Sequence, residues 1–273
     1  MPDTLLAIIA SYFFIVLTQD VHIFPGVIFS QVTKPFKRFR SKPLEAESIF
    51  ISTEDNKSIE LWRIGPDADT EELPYVAVIF HGNGASMKGF LAIQLWLSSL
   101  GIISYGFDYR GFGNSTGWPS ERGLELDSDA VWKYITTREN ILPEQMIVLG
   151  ISIGGALAAR IASLHEPKVL ILVSAFTNLR QAVVDYFPMG IFAPLLKYRL
   201  PTIDYVGKLK NAHLITAHGE RDRIVRPYHT EKIMSAYHGS GTAIRITRDV
   251  PGHNSIFFSA RHEIAEALKK CMQ

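Results

Sequence analysis

Short apolar runs alternate with helical stretches from Ala46 to the end of the chain. Two strands come first and repeated strand-helix units follow, which is typical of a mostly parallel, doubly wound sheet. The central runs are apolar throughout, as strands covered by helices on both faces should be. The predicted strands are 48–53, 58–64, 75–80, 102–107, 146–149, 169–173, 213–217 and 243–247. The predicted helices are 87–99, 121–138, 154–164, 228–237 and 255–270. The sequence therefore predicts an α/β fold with an eight-stranded sheet.

One long segment, residues 178–210, does not follow this alternation. It is rich in aromatic and aliphatic residues, and the neighbouring connections are shorter. We interpret it as a small apolar cap over the carboxyl edge of the sheet. Its side chains would either pack on the helices below or line a channel for an apolar substrate.

The N-terminal region differs from the rest of the chain. Residues 5–17 carry no charge, and a second apolar patch covers residues 21–29. A membrane-spanning helix needs about 20 apolar residues, so the uninterrupted part is short for that purpose. The five basic residues between 34 and 42, with no acidic residue among them, are typical of the cytoplasmic flank of a membrane segment. We therefore predict a membrane anchor at 1–30, a basic linker at 31–45 and a cytoplasmic-side catalytic domain at 46–273. The alternative is a helix packed on the protein's own core.

Overall charge and cysteine content exclude several classes of protein. The chain has 28 Lys and Arg against 27 Asp and Glu, a net charge of +1, so it is not a globally basic nucleic-acid binder. Its single cysteine, Cys271, excludes an intrachain disulfide and a cysteine-based zinc site. We expect no metal or organic cofactor, and the sequence does not indicate an oligomeric state.

A candidate nucleophile lies between the fifth predicted strand and the following helix. Residues 150–154 read Gly-Ile-Ser-Ile-Gly, and a G-x-S-x-G sequence at a strand-to-helix junction is typical of a nucleophile elbow. Such a sharp turn leaves little room for a side chain on either flank, so glycines are needed there. Ser152 is therefore the predicted nucleophile, although the same five-residue pattern also occurs in ordinary tight turns.

A candidate acid and a candidate base follow in chain order. Asp222 comes after the seventh predicted strand, and Glu220 in the same loop is its nearest rival. Of the nine histidines, His253 is the one in a loop after the last predicted strand. In a Ser-His-Asp triad the histidine deprotonates the serine, and the acid fixes the histidine tautomer. We therefore predict Asp222 as the acid and His253 as the base.

A glycine-rich turn after the third predicted strand could stabilise a negatively charged intermediate. Residues 81–85 read His-Gly-Asn-Gly-Ala, and turns of this kind leave backbone N–H groups free to bind an oxyanion. The backbone N–H of Asn83 is the predicted first donor, with Gly84 as the alternative. The second donor is the N–H of Ile153, which follows the nucleophile at a helix N-terminus.

Five motifs together resemble the α/β-hydrolase superfamily: HGNG (81–84), DYRGFGNSTG (108–117), GISIGG (150–155), HGERD (218–222) and PGHN (251–254). The sequence is most similar to the Bem46-like and membrane-tethered abhydrolase-domain branch, over about residues 46–273. The resemblance implies that Ser152, Asp222 and His253 form the triad, that Asn83 and Ile153 form the oxyanion hole, and that residues 108–111 form a structural loop beside them. It implies cleavage of an ester or thioester through an acyl-enzyme, and in some relatives the substrate is an acylated protein. The apolar cap and the predicted anchor favour an apolar, lipid-like acyl group. A serine peptidase or aminopeptidase-like hydrolase and, more remotely, a non-enzymatic membrane scaffold are the alternatives.

Overall fold

The computed structural model describes residues 18–20, 22–28, 46–186, 193–250 and 252–273. Its centre is an eight-stranded sheet in the order β1-β2-β4-β3-β5-β6-β7-β8. The strands are β1 Glu47–Ser52, β2 Ser58–Ile64, β3 Val76–Phe80, β4 Ile103–Phe107, β5 Met146–Ile151, β6 Val169–Val173, β7 His213–Gly219 and β8 Ala243–Arg248. β2 pairs antiparallel with both β1 and β4, and every other neighbouring pair is parallel. The predicted eight-stranded, mostly parallel sheet is confirmed.

Helices cover both faces of the sheet. They are α1 Leu91–Ser98, α2 Glu121–Arg138, α3 Gly154–His165, α4 Leu179–Asp185, α5 Thr202–Val206, α6 Tyr228–Ala236, α7 Ile256–Ser259 and α8 Arg261–Met272. Alternate residues of each central strand point to opposite faces, so β3 places Val78 in one core and Ile79 in the other. The first core includes side chains of α2 to α6, and the second includes side chains of α1, α7 and α8. This burial on both faces explains the uninterrupted apolar runs of the sequence.

Two predicted helices differ in detail from the observed ones. The predicted helix 87–99 begins as a 3-10 turn, Met87–Phe90, before α1. The predicted helix 255–270 is divided into α7 and α8 at Ala260. Both breaks lie in the segments that follow the HGNG and PGHN motifs of the sequence.

The sheet topology places one crevice beside β3 and β5. The chain runs from β3 to its neighbour β4 on one side and then returns past β3 to β5 on the other. In open parallel sheets, ligands bind outside the carboxyl ends of the strands at such a switch point. The turn at 81–85 and the turn at 150–154 both emerge there.

Residues 18–28, where described, pack against this body. Phe24 is 1% exposed and contacts Phe112 and Tyr198 edge to face, with ring centroids 6.4 and 5.4 Å away. The remainder of the predicted anchor (1–17, 21 and 29–30) and the predicted linker 31–45 lie outside the described residues. In the ranges that are described, we find no helix with the length and apolar character required to span a membrane. The anchor therefore remains a prediction.

Candidate active site

Ser152 lies in the sharp turn between β5 and α3. Its φ angle of 53° is left-handed, which a non-glycine residue adopts rarely and at a cost in backbone strain. The glycines on either side permit this turn. A Cβ on Gly154 would lie 2.2 Å from the carbonyl oxygen of Phe80, and one on Gly150 would lie 2.5 Å from Ala158 Cβ. The turn therefore has the geometry that the G-x-S-x-G pattern predicts, and Ser152 is half-buried at its apex.

Asp222 and His253 form a hydrogen-bonded pair. The Nδ1 atom of His253 lies 2.7 Å from Oδ2 of Asp222, and both side chains are buried. The buried Nε2 atom of His253 has no hydrogen-bond partner among the described residues. Ser152 and His253 line the same cavity. A histidine held at one nitrogen and unsatisfied at the other is suited to accept a proton from a hydroxyl group in that cavity.

The surroundings of Asp222 keep its carboxylate ionised. Its Oδ1 atom accepts hydrogen bonds from the backbone N–H groups of Ile224 and Val225, at 2.9 and 3.0 Å. Burial by itself would raise the pKa of Asp222, but interactions with His218, His253 and the backbone hold that pKa well below its usual value. Because the carboxylate stays charged at neutral pH, it can hold the proton of His253 on Nδ1. Glu220, its rival in the sequence, is exposed, and within the described residues the one hydrogen bond found for it runs from its backbone N–H to the carbonyl of Arg248.

The turn at 81–85 lies directly beside Ser152. A Cβ on Gly82 would lie 3.7 Å from the Cβ of Ser152. No hydrogen bond found within the described residues uses the backbone N–H of Asn83 or that of Ile153. Ile153 precedes α3, so its N–H also lies at the positive end of a helix dipole. One predicted oxyanion donor therefore belongs to the turn beside Ser152, and the other belongs to the residue that follows Ser152 in the chain.

Two residues that the sequence analysis did not assign support the pair. Ser174 follows β6 and donates a hydrogen bond of 3.0 Å to the backbone carbonyl of His253. His218 is fully buried, and its Nε2 atom donates to the carbonyl of Val225 at 2.9 Å and lies 3.4 Å from Asp222 Oδ2. Both stand at carboxyl ends of parallel strands next to predicted catalytic loops. Their position at the end of a predicted parallel strand is the sequence feature that could have identified them.

A cavity of about 780 Å³ opens beside Ser152. Most of its walls are apolar. They come from the segment that follows β3, from the loops after β6 and β7, from the cap, from α7 and from residues 19, 22 and 23. Its apolar lining residues include Ile23, Phe90, Phe176, Leu179, Ala182, Val183, Leu195, Leu196, Ile224, Phe257 and Phe258. The predicted cap, 178–210, supplies α4 and α5, while residues 187–192, which contain several of its aromatic and aliphatic side chains, lie outside the described residues. Within the described ranges, no group of three or more His, Cys, Asp or Glu residues is arranged to hold a metal ion.

Comparison with known proteins assigns the chain to a family. Residues 73–226 match the Hydrolase_4 family, described as serine aminopeptidase, S33. Bem46 of Schizosaccharomyces pombe is 30% identical over 189 residues, which are 67% of this chain and 63% of that protein. A Saccharomyces cerevisiae protein described as an uncharacterized membrane protein, YNL320W, is 28% identical over 198 residues, 71% of this chain and 68% of that one.

Comparison with solved structures shows that the fold is shared with known proteins. An esterase from Pyrococcus furiosus has a TM-score of 0.68 at 19% identity, covering 84% of this chain and 90% of the esterase. The sheet order, the strained serine turn and the matched family profile agree with one another. This chain belongs to the Hydrolase_4 family of α/β serine hydrolases.

Proposed function

We propose that this hydrolase cleaves esters or thioesters of apolar acyl groups through an acyl-enzyme on Ser152. The observation that carries the proposal is the buried Asp222–His253 pair, whose Nε2 atom is unsatisfied beside the cavity that also contains Ser152. The left-handed turn that presents Ser152 and the two unused N–H groups beside it complete the set of groups that acyl transfer requires.

In the proposed reaction, Ser152 Oγ attacks the acyl carbonyl carbon while its proton moves to His253 Nε2. The carbonyl oxygen becomes an oxyanion and is bound by the N–H groups of Asn83 and Ile153. When the tetrahedral intermediate collapses, His253 returns the proton to the departing alcohol or thiol. Water then attacks the acyl-enzyme with His253 as base, and the carboxylic acid leaves with Ser152 restored. Asp222 stays ionised throughout and stabilises the imidazolium form of His253.

The shape and lining of the cavity favour an apolar acyl group. Each methylene that moves from water into an apolar pocket contributes roughly 0.8 kcal/mol. A ligand cavity of about 780 Å³ with mainly apolar walls has the size and character expected for a sizeable organic group. We therefore expect medium to long acyl chains to be better substrates than acetate.

A peptidase is the second candidate, because the matched family is described as serine aminopeptidase. An aminopeptidase has to bind the positively charged α-amino group of its substrate, and a carboxylate is the usual partner for such a charge. Within the described residues, no Asp or Glu lines the cavity. This distribution of charge favours a neutral acyl substrate over a peptide with a free amino terminus.

We also propose that the protein works at a membrane, with its catalytic domain on the cytoplasmic side. The apolar residues 5–17 and the basic residues between 34 and 42 support this location. The description of the yeast relative as a membrane protein supports it further.

The test uses the full chain and a fluorophosphonate probe, followed by p-nitrophenyl esters of two to twelve carbons, acyl thioesters and aminoacyl p-nitroanilides. Ser152→Ala should abolish labelling and turnover, while Ser163→Ala, a serine change elsewhere on α3, should leave both intact. Extending the acyl chain from two to eight carbons should raise kcat/KM by orders of magnitude. Full activity in Ser152→Ala, or preference for the aminoacyl substrates, would contradict the proposal.

A cavity-filling variant tests the binding of the acyl chain. Ala182 on α4 lines the cavity, and Ala182→Phe should shorten the preferred acyl chain while acetate turnover stays within a few-fold. Val184 is on the same helix but is 48% exposed, so Val184→Phe serves as the control. A chain-length profile that Ala182→Phe leaves unchanged would mean that the acyl group lies elsewhere.

A further inference from the structure

Residues 18–20 and 22–28, which we call the N-terminal strap, hydrogen-bond directly to the turn that carries Asn83. The side-chain Nδ2 of Asn83 donates to the backbone carbonyl of Ile23 at 2.8 Å. In the opposite direction, the backbone N–H of Gly26 donates to the carbonyl of Asn83 at 3.0 Å. One residue of the predicted oxyanion hole is thus held at two points by a segment about 60 positions earlier in the chain.

Close packing accompanies these two hydrogen bonds. A Cβ on Gly26 would lie 2.6 Å from the carbonyl oxygen of Asn83, 2.6 Å from Phe112 Cε1 and 3.0 Å from the backbone nitrogen of Ala85. Any side chain at position 26 would therefore push the strap and the turn apart. The glycine is required here by the close approach of two backbones and not by its own φ angle.

The other end of the strap is fixed to the cap. Gln19 donates from Nε2 to the carbonyl of Leu195 at 2.9 Å, and its Oε1 accepts the N–H of Lys197 at 2.7 Å. Tyr198 donates its hydroxyl to Asp20 Oδ1 at 2.7 Å. The strap therefore connects the turn at 81–85 to the cap. Between these two contacts, Gln19, His22 and Ile23 line the cavity.

The turn is open at Gly84, the residue after Asn83. In the described part of the chain, no heavy atom other than those of its chain neighbours lies within 4 Å of where a Gly84 Cβ would be. An oxyanion donor stabilises a transition state only when its N–H group is already aimed at the place where charge develops. The contacts of Asn83 with Ile23 and Gly26 supply that constraint for a turn that is otherwise open beyond Asn83.

We propose that the N-terminal strap positions the backbone N–H of Asn83 for oxyanion binding, through the Asn83 side chain and the close approach of Gly26. The strap is then a functional part of the catalytic domain, whatever the preceding residues do. This proposal rests on the proposed function, because it assigns an oxyanion hole to Asn83. Asn83 has two separate roles in it: its backbone N–H contacts the substrate, and its side chain is a positioning group.

The experiment compares Asn83→Ala, Gly26→Val and the double variant in the full chain. Asn83→Ala keeps the backbone N–H and removes only the side-chain hydrogen bond to Ile23. We expect each single variant to lower kcat for a p-nitrophenyl acetate ester by about 10 to 100 fold, less than the loss of an oxyanion donor outright. The KM should stay within about threefold, since an acetyl group makes few contacts with the strap.

Binding of a trifluoromethyl ketone provides a readout that a purely structural role would not reproduce. Ser152 Oγ adds to its carbonyl carbon to form a hemiketal whose oxygen mimics the oxyanion, so its inhibition constant should rise by the same factor by which kcat/KM falls. The kcat of the double variant should lie within about twofold of that of the less active single variant, because both changes break the same connection between the strap and the turn. Asn114→Ala removes another asparagine hydrogen bond, to Glu60 at 2.9 Å, and should leave kcat unchanged.

The outcomes separate the two proposals. If Ser152→Ala is inactive but Asn83→Ala keeps kcat within twofold of the wild type, the strap has no positioning role and this inference is overturned. If Ser152→Ala remains active, the proposed function has failed first. Should Gly26→Val not fold, Asn83→Asp takes its place, because a carboxylate facing the Ile23 carbonyl repels the strap without adding bulk; it should lower kcat at least as much as Asn83→Ala.

Discussion

Replacing Asp222 with asparagine should reverse the hydrogen bond that orients His253. Two backbone N–H groups, of Ile224 and Val225, point at Asp222 Oδ1. An asparagine can satisfy both only by placing its carbonyl oxygen there, which puts its NH2 group where Oδ2 now lies, 2.7 Å from His253 Nδ1. The amide then donates to Nδ1, so the neutral histidine has to carry its proton on Nε2. In that tautomer it cannot accept the proton of Ser152.

The expected loss of kcat is large because His253 is held in the wrong tautomer. The fold should stay intact. In serine hydrolases the equivalent change lowers kcat by about four decades. At 1.36 kcal/mol per decade this corresponds to about 5.5 kcal/mol of transition-state stabilisation. The KM for a short ester should change little, because Asp222 is not among the described residues that line the cavity.

The assay is steady-state hydrolysis of the best p-nitrophenyl ester by the full chain, with melting temperature and circular dichroism recorded for each variant. Glu220→Gln and Asp249→Asn are the controls, since Glu220 is exposed and Asp249 forms an exposed ion pair with Arg221 at 2.5 Å. Both controls should retain kcat within about twofold. The reasoning is refuted if Asp222→Asn keeps a tenth of the wild-type kcat, or if Glu220→Gln shows the large loss.

Two further predictions concern stability. Burial raises the pKa of Asp108 from 3.8 to about 7, so the folded state binds a proton that the unfolded chain has lost, and stability falls as pH rises through that window. The melting temperature of Asp108→Asn minus that of the wild type should therefore grow between pH 4 and pH 8; a difference independent of pH would contradict this. Arg110 contacts Asp55 and Asp127 at 2.8 Å each while being largely buried, so Arg110→Lys should lower stability by about 2 to 4 kcal/mol in urea unfolding. A loss below about 0.5 kcal/mol would show that the ion pairs of Arg110 with Asp55 and Asp127 contribute little to stability.

The sheet and the convergence of the residues predicted for the triad could be predicted from the sequence, because both depend on local sequence patterns. A continuous apolar run reports burial on both faces, and Gly150 and Gly154 report the crowded turn around Ser152. The carboxyl ends of parallel strands meet at one edge of the sheet, so residues after β5, β7 and β8 had to converge. Asp222 and His253 are 31 positions apart, yet their meeting follows from this rule.

The contacts of the strap could not be predicted from the sequence, because its partners are determined by three-dimensional packing alone. Gln19 contacts residues 176 and 178 positions away, and Asn83 contacts Ile23 across 60 positions. No turn chemistry or periodicity announces such pairs. The need for glycine at position 26 comes from the backbone of Asn83 and Ala85, which approaches it only in the folded chain. A glycine after a proline reads in sequence as an ordinary turn.

Hydrophobicity alone could not decide how the N-terminal region is used. Ile23, Phe24 and Val27 are apolar, which suits a membrane segment, and they are also buried in the first core of the domain. Transfer into lipid and transfer into a protein interior remove the same apolar area from water, so a hydropathy pattern gives the same signal for both. Polar contacts distinguish them: Gln19 and Asp20 have buried or half-buried partners in the cap, which a lipid environment would not provide. For the strap, residues 18–20 and 22–28, the interaction is therefore with the protein itself, and the case for a membrane rests on residues 5–17 and on the basic segment that follows the strap.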